Sequence, residues 1–369
     1  MSTIKVNNIV PPNVGEGVSI DGLQMPTAGA LSNRSLIING AMTFDQRSNG
    51  SVFDTTGQTY GTCDRWSFQY SQASKYTGQQ VSDGPVGFEK SLKATVTNAF
   101  TVGSPNYFVV EQAIEGYNTS SLAWGSADAK AISISFWVKA SVTGTYSLAV
   151  RNADYTRTRV EEYTINTANT WEYKTITVPG DTTGTYNTTN GPGIRLVFDL
   201  GVGTAYSGTA GVWNAGNKFS TSNSVHLIET QGATWNITGV QLEVGSKATP
   251  FEHESYGQTL AKCQRYYYRT AENGQTTNLI TMCNEGATSA SGAMPHPVFM
   301  RAIPTVNFGS GIRYYSSPTN TITFTNAANR CSTSQLVAYL FMTGLTPGGA
   351  GTLYRASSTE GYIELSAEL

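Results

Sequence analysis

Aromatic, arginine and amide side chains set in turn-rich stretches are the residues of this sequence best able to do chemistry, and the chemistry they suit is sugar binding. A flat ring covers the apolar side of a pyranose while planar polar groups meet its hydroxyls. Three groups qualify. The first is the Gly-rich stretch 206–218, which carries Tyr206, Trp213, Asn214 and Asn217 where loops between strands commonly bind ligands. The second is Tyr155, Arg157, Arg159 and Glu161, which at period two share one strand face. The third is Arg313, Tyr314 and Tyr315 with Tyr354 and Arg355, residue types that anchor recognition surfaces. Each has a plainer counterpart. Trp213 is favoured as a plug at a core edge, since large aromatics are mostly buried. The charges around Arg157 fit an ordinary solvated face. For Tyr314 and Tyr315 the counterpart is packing of one of them into a core, since neighbours on a strand face opposite ways.

Catalytic signals are poor. His226, His253 and His296 lie in no metalloprotease spacing, no nucleophile elbow is present, and Gly201, Val202 and Gly203 lack the third glycine of a nucleotide loop. A glycoside hydrolase needs two carboxylates flanking the sugar bond, and sequence cannot place Asp154, Glu161, Glu162 or Asp199 within such reach. No enzyme and no cofactor are expected. Lysine and arginine number 23 against 25 acids, so no global field draws nucleic acid or an anionic membrane. The longest apolar stretch, 336–342, is far too short to span a bilayer. The opening residues lack an apolar run of signal-peptide length, which predicts synthesis in cytosol. The irregular spacing of Cys63, Cys263, Cys283 and Cys331 then predicts buried free thiols rather than disulfides or a metal site.

The elements that must position these residues read as strands. Only 13% of residues are charged, while Gly, Ser, Thr, Asn and Tyr abound, a mix suited to tight turns and polar strand faces. Strands are expected near 36–42, 66–70, 91–96, 107–114, 131–140, 145–151, 173–178, 194–200, 225–229 and 234–243. Ile132, Ile134, Phe136 and Val138 alternate with Ser133, Ser135, Trp137 and Lys139, so the first set faces a core and Trp137 lies on the other face. Residues 258–268 are the best helix, with Leu260, Cys263 and Tyr267 at helical spacing. Beyond it, 279–282, 305–308, 321–324, 335–342 and 362–365 read as a second, small β-sandwich. Residues 1–34 alternate in places but are broken by Pro11, Pro12 and Pro26, and a segment this short buries too little to fold alone.

Several motifs recur in order across this pattern. Leu36, Ile37, Ile38, Asn39 and Gly40 lead into Phe44, Asp45, Gln46 and Arg47, then Asp64, Arg65 and Trp66; near residue 250 come Val240, Gln241, Leu242, Glu243, Pro250, Phe251 and Glu252, then Cys263, Gln264, Arg265 and Tyr266. The combination, over roughly residues 35–268, resembles bacteriophage tail-fibre proteins that carry a jelly-roll, carbohydrate-binding-module-like domain. The opening, with Val18, Ser19, Ile20 and Asp21, resembles the leader of cyanophage fibres, and Ile363, Glu364 and Leu365 resemble their last strand.

The resemblance implies an all-β chain in four parts: an attachment and trimerisation segment (1–34), a jelly-roll (35–255), a helical connector (256–270), and a C-terminal β domain as receptor-binding tip (271–369). It implies a homotrimer in the virion, made in host cytoplasm, joined to tail or baseplate proteins through its N-terminus and touching host surface polysaccharide. A tail adaptor without glycan binding and a glycan-degrading enzyme are the alternatives. Modules of the resembled kind often hold calcium between first and last strands, but Thr238 and Gly239 stand where their acidic ligand falls, leaving Glu243 nearest. No metal is therefore expected.

Overall fold

The computed structural model describes residues 19–20, 23–24, 32–57, 59–270, 278–316, 326–355 and 361–369. Most of the expected attachment segment, and the strand expected at 321–324, lie outside the described residues. Within that segment, β1 (Ser19–Ile20) pairs antiparallel with β2 (Leu23–Gln24). The chain forms two compact units, residues 1–255 with Leu369, and Tyr256–Glu368.

The first unit is built from β3 (Phe53–Asp54), β4 (Ser67–Tyr70), β5 (Tyr76–Val81), β6 (Ser91–Val96), β7 (Tyr107–Glu115), the short α1 (Gly116–Thr119), β8 (Ile132–Ala140), β9 (Gly144–Asn152), β10 (Arg157–Ile165), β11 (Glu172–Val178), β12 (Pro192–Val202), β13 (Trp213–Ala215) and β14 (Thr234–Val244). They form two six-stranded sheets of order β11-β8-β14-β6-β5-β3 and β13-β10-β9-β12-β7-β4. The chain passes repeatedly from one sheet to the other, and every named strand pair is antiparallel, the arrangement of a jelly-roll sandwich. One continuous core fills the gap. It joins Ile132, Ile134, Phe136 and Val138 of β8 to Tyr146, Leu148 and Val150 of β9 and to Leu196 and Phe198 of β12, with Trp66 and Trp235 fully buried between.

The opening run 36–42 is not the expected strand. Asn39 and Met42 take left-handed φ of 59° and 57°, which extended pairing forbids, so the run turns on itself and plugs the sandwich with Ile37, Ile38 and Met42. The carbonyl of Leu242 accepts the amide of Leu36 at 2.8 Å, and Gln112 bonds both the amide and the carbonyl of Ile38. Motif residues hold the plug in place. Asn39 Nδ2 donates to the carbonyls of Phe44 and Asp64, Trp66 Nε1 donates to the Asn39 carbonyl, and Asp64 accepts from Gln46. The residues that carry the family resemblance thus do structural work around one buried turn. The strand expected at 225–229 is a 3-10 turn, Leu227–Glu229.

The second unit opens with α2 (Tyr256–Gln264), followed by β15 (Tyr267–Arg269), β16 (Asn278–Asn284), β17 (Ser289–Pro295), β18 (Thr305–Phe308), β19 (Ile312–Ser316), β20 (Asn326–Cys331), β21 (Gln335–Phe341), β22 (Ala350–Arg355) and β23 (Ile363–Ser366). A six-stranded sheet of order β19-β22-β16-β17-β21-β20 and a three-stranded sheet β15-β23-β18 share a core around Tyr314, Leu340, Leu353 and Ile363. The helix stops four residues before the expected end at 268, so Tyr267 lies in a strand rather than on the helical stripe with Cys263. None of the four cysteines forms a disulfide. Cys63 and Cys263 are buried, but Cys283 is exposed and Cys331 half-buried, which corrects the expectation for those two. Among the described residues no helix is long and apolar enough to cross a membrane.

Candidate functional site

The residues singled out in the stretch 206–218 are held by their own neighbours. Tyr206 packs edge-on to Tyr107 at 5.4 Å and against Phe219 at 5.2 Å. Trp213 sits half-buried on edge strand β13, 5.3 Å from Trp124 and nearly perpendicular to it, with its Nε1 donating to the Pro179 carbonyl. This is the core-edge plug. Asn214 closes a turn, accepting from the Thr209 amide and donating to the Thr209 and Val212 carbonyls.

Arg157 grips Asp181 with two bonds of 2.9 and 2.6 Å. Burial alone pushes the Asp181 carboxyl up, but bonds from Arg157, Tyr186 and Thr183 outweigh it and hold the group below its ordinary value. Arg159 pairs with Glu161 at 2.6 Å. Both arginines therefore have internal partners. Tyr155 does not share their face: it lies in the turn between β9 and β10 with φ +60°, and its ring passes to the outer side of the second sheet, over Arg151.

In the second unit the register of β19 against β22 sets Arg313 opposite Tyr354 and Tyr315 opposite Thr352, on one outer face. Tyr314 points the other way, is fully buried, and donates to Asn284 Oδ1 at 2.6 Å. As placed it offers no ring to a ligand, and Arg355, 3% exposed, offers no guanidinium. Tyr315 is 46% exposed. Farther along the same face Tyr339 and Phe341 lie 5.1 Å apart, with the Arg330 guanidinium 5.9 Å over the Tyr339 ring.

A further row of aromatic rings lies on the outer face of the first sheet, exposed at Tyr173 and His253 and half-buried at Trp137, Phe88 and Phe251. Trp137, on the non-core set of β8, sits directly opposite Tyr173 of β11, their rings 5.3 Å apart. A bulge in β14 places Gly239 beside them at φ +60°. A Cβ there would lie 2.7 Å from Phe88 Cζ and 3.1 Å from Trp137 Cδ1, so the missing side chain is what lets the two rings approach. Phe88 continues the row to Phe251 at 5.0 Å and His253 at 5.2 Å. Polar groups flank the row. Lys139 Nζ lies 5.0 Å over the Trp171 ring and bonds Asp83 at 2.5 Å. The Lys139 bond holds the Asp83 carboxyl below its usual range.

Sequence reasoning had placed Trp137 away from the core without reading it as a site. The available signal was a tryptophan on the polar set of an alternating strand. The bulge and the far-off Phe88 and Phe251 gave none.

Three of the four acids named as hydrolysis candidates have local partners, and the fourth, Asp154, is exposed. Glu161 pairs with Arg159, Glu162 accepts from Thr221 and Asn223, and Asp199 is fully buried, accepting from Ser220 Oγ and the Gly201 amide. Burial raises the Asp199 carboxyl to about 6 against those opposing bonds. Since the folded state then holds this proton more tightly than an unfolded chain, whose aspartate titrates near ~3.9, its contribution to stability falls as pH rises from about 4 to about 6. Asp199→Asn is expected to raise stability at pH 7 by about 1–3 kcal/mol. Urea unfolding should show that gain vanishing below pH of about 4; a loss at both values would contradict the assignment. Among the described residues no cluster of three His, Cys, Asp or Glu side chains is placed to hold a metal. Glu243 is taken up by Thr249, Gln241 and Arg34.

No protein-family model matches the chain, and no curated protein matches it. Among solved structures, the enzymatically active domain of tailspike protein 4 from bacteriophage CBA120 is similar at 16% identity and a TM-score of 0.30, covering 54% of this chain. The match spans only 21% of that tailspike chain. A putative sugar-binding protein from Bacteroides thetaiotaomicron is similar at 12% identity and a TM-score of 0.32, with 57% of this chain and 100% of that one covered. A family 11 carbohydrate-binding module from Clostridium thermocellum shows 12% identity and a TM-score of 0.27 over 55% of this chain and 99% of that module.

Proposed function

We propose that this is a non-catalytic attachment protein of a phage virion, which binds cell-surface glycan on the outer face of its first sheet. The observation that carries the reading is the row of Tyr173, Trp137, Phe88, Phe251 and His253, exposed at its two ends and half-buried between them, beside Lys139 and Asp83. A row of aromatic rings with flanking hydrogen-bonding groups suits successive sugars of a chain. The resemblance of the motif set to tail fibres supplies the setting: residues 1–34 join the tail and help three copies assemble, and the face bearing Arg313, Tyr315 and Tyr354 serves as a further contact. Weak sites gain strength when three engage one polymer, because after the first binds the others meet a high effective concentration.

A glycan array with purified full-length protein, followed by the Trp137→Ala/Tyr173→Ala variant, tests this. Each lost stack should remove on the order of 1 kcal/mol, so monovalent binding should fall about tenfold or more while the unfolding midpoint holds. Binding undiminished in the variant would move the site elsewhere. Absence of any array signal would favour a structural adaptor, and release of reducing ends from a bound polysaccharide would make the protein an enzyme.

A further inference from the structure

On the opposite side of the sandwich the outer face of the second sheet buries an unbalanced charge. Arg195 of β12 and Arg151 of β9 are direct cross-strand partners, a placement that repels unless something lies between them. Glu111 of β7 does so: its Oε2 accepts from Arg151 Nη2 at 2.5 Å and its Oε1 from Arg195 Nη1 at 2.8 Å. The three side chains are 5%, 10% and 2% exposed for Arg151, Arg195 and Glu111. Arg151 has a further acceptor in Asn217 Oδ1 at 2.6 Å. Arg195 has none. Its Nε is buried without a partner, and its Nη2 bonds nothing among the described residues. No second carboxylate lies within ion-pair distance of either guanidinium among those residues.

Two cations and one anion thus share a nearly dry site, which leaves one positive charge uncompensated where compensation matters most. Above them lies Tyr155. Its φ of +60° is a backbone state that tyrosine adopts only under constraint, and that turn puts its ring 4.5 Å from the Arg151 guanidinium and 5.8 Å from that of Arg195. Tyr155 is 40% exposed and the Arg195 side chain beneath it 10%, so a ligand reaches the guanidinium where the Tyr155 side chain turns aside, a fast rotamer change at an exposed residue.

From this we infer that the Arg195 edge, with Arg151 behind it and Tyr155 over it, is a binding site for the carboxylate of an acidic sugar. The planar fork of Arg195 matches a carboxylate. The Tyr155 ring meets the apolar side of the pyranose that bears it. The site lies on the sheet face opposite the Trp137 row and stands or falls independently of it.

Calorimetric titration of the full-length protein with a galacturonic acid trisaccharide, beside a neutral galactose trisaccharide at the same ionic strength, tests the assignment. The acidic probe should bind at least about tenfold more tightly, since charged hydrogen bonds exceed neutral ones by that much. Arg195→Met should abolish that preference yet leave Arg151 and Glu111 as a balanced pair, so the fold should survive. Arg195→Lys, which keeps the charge and loses the fork, should also weaken binding, and it guards against a folding failure of the methionine variant. Equal affinity for the two trisaccharides, no binding of the acidic one, or unaltered binding by both Arg195 variants would overturn the inference. Sulfate competing as strongly as the trisaccharide would reduce the site to a general anion hole and overturn the sugar assignment.

Discussion

Glu111→Gln is expected to destabilise the first unit by about 3–5 kcal/mol, the cost typical of removing one partner from a buried ionic cluster. A glutamine retains the shape but presents one acceptor and one donor where Arg151 and Arg195 both need acceptors. The two guanidiniums, direct neighbours across the strands, would then face each other uncompensated. Urea unfolding followed by tryptophan emission should report the loss, since Trp66 and Trp235 are fully buried in the same sandwich. A change under about 1 kcal/mol would mean that water reaches the cluster and screens it. The double variant Glu111→Gln/Arg195→Met should recover much of the stability, because it removes one of the two stranded charges.

Gly40→Ala should be nearly as damaging, for a steric reason. A Cβ at Gly40 would lie 2.0 Å from the carbonyl oxygen of Val240 and 3.1 Å from its carbon. Backbone cannot rotate away as a side chain can, and the same contact carries the bond from the Val240 amide to the Gly40 carbonyl at 3.0 Å. The plug formed by Ile37, Ile38 and Met42 would have to withdraw from β14, at about 3 kcal/mol or more. Gly257→Ala, where the new Cβ meets nothing within 4 Å, is the control and should be neutral or slightly stabilising. Equal midpoints for the two variants would show that the opening run yields easily.

What the sequence made legible depended on how local the determining contact is. The strand at Ile132–Ala140 was readable because its alternation reports its own two faces. The strand at Tyr76–Val81 was not, since Gly78 stands where an apolar side chain would signal a core position; the Phe68 ring occupies that space from the other sheet, 2.5 Å from where a Cβ would be. The run 36–42 misled because an apolar stretch looks the same whether it pairs as a strand or turns inward at Asn39 and Met42. Tyr314 and Tyr315 face opposite ways on their strand, and only the register against Thr352 and Leu353 decides which is buried. The charge cluster was invisible, as Glu111 lies 40 residues from Arg151 and 84 from Arg195. Tyr155 escaped because a period-two reading assumes an extended chain, and its left-handed φ breaks the count.

The strand order has a further consequence, for behaviour in a crowd. A sheet edge is a row of unpaired amides and carbonyls that invites another chain to extend it. Three of the four sheet edges in the first unit are very short: β3 has 2 residues, β13 has 3 and β4 has 4. The fourth, β11, is 7 residues long, but its inward-facing set begins with Glu172 and Lys174, paired at 2.7 Å. A foreign strand docking there would have to accommodate that ion pair. Many copies of this first unit held side by side at high local density would therefore have few strand edges at which to fuse, while its side-chain faces remained free for ligands.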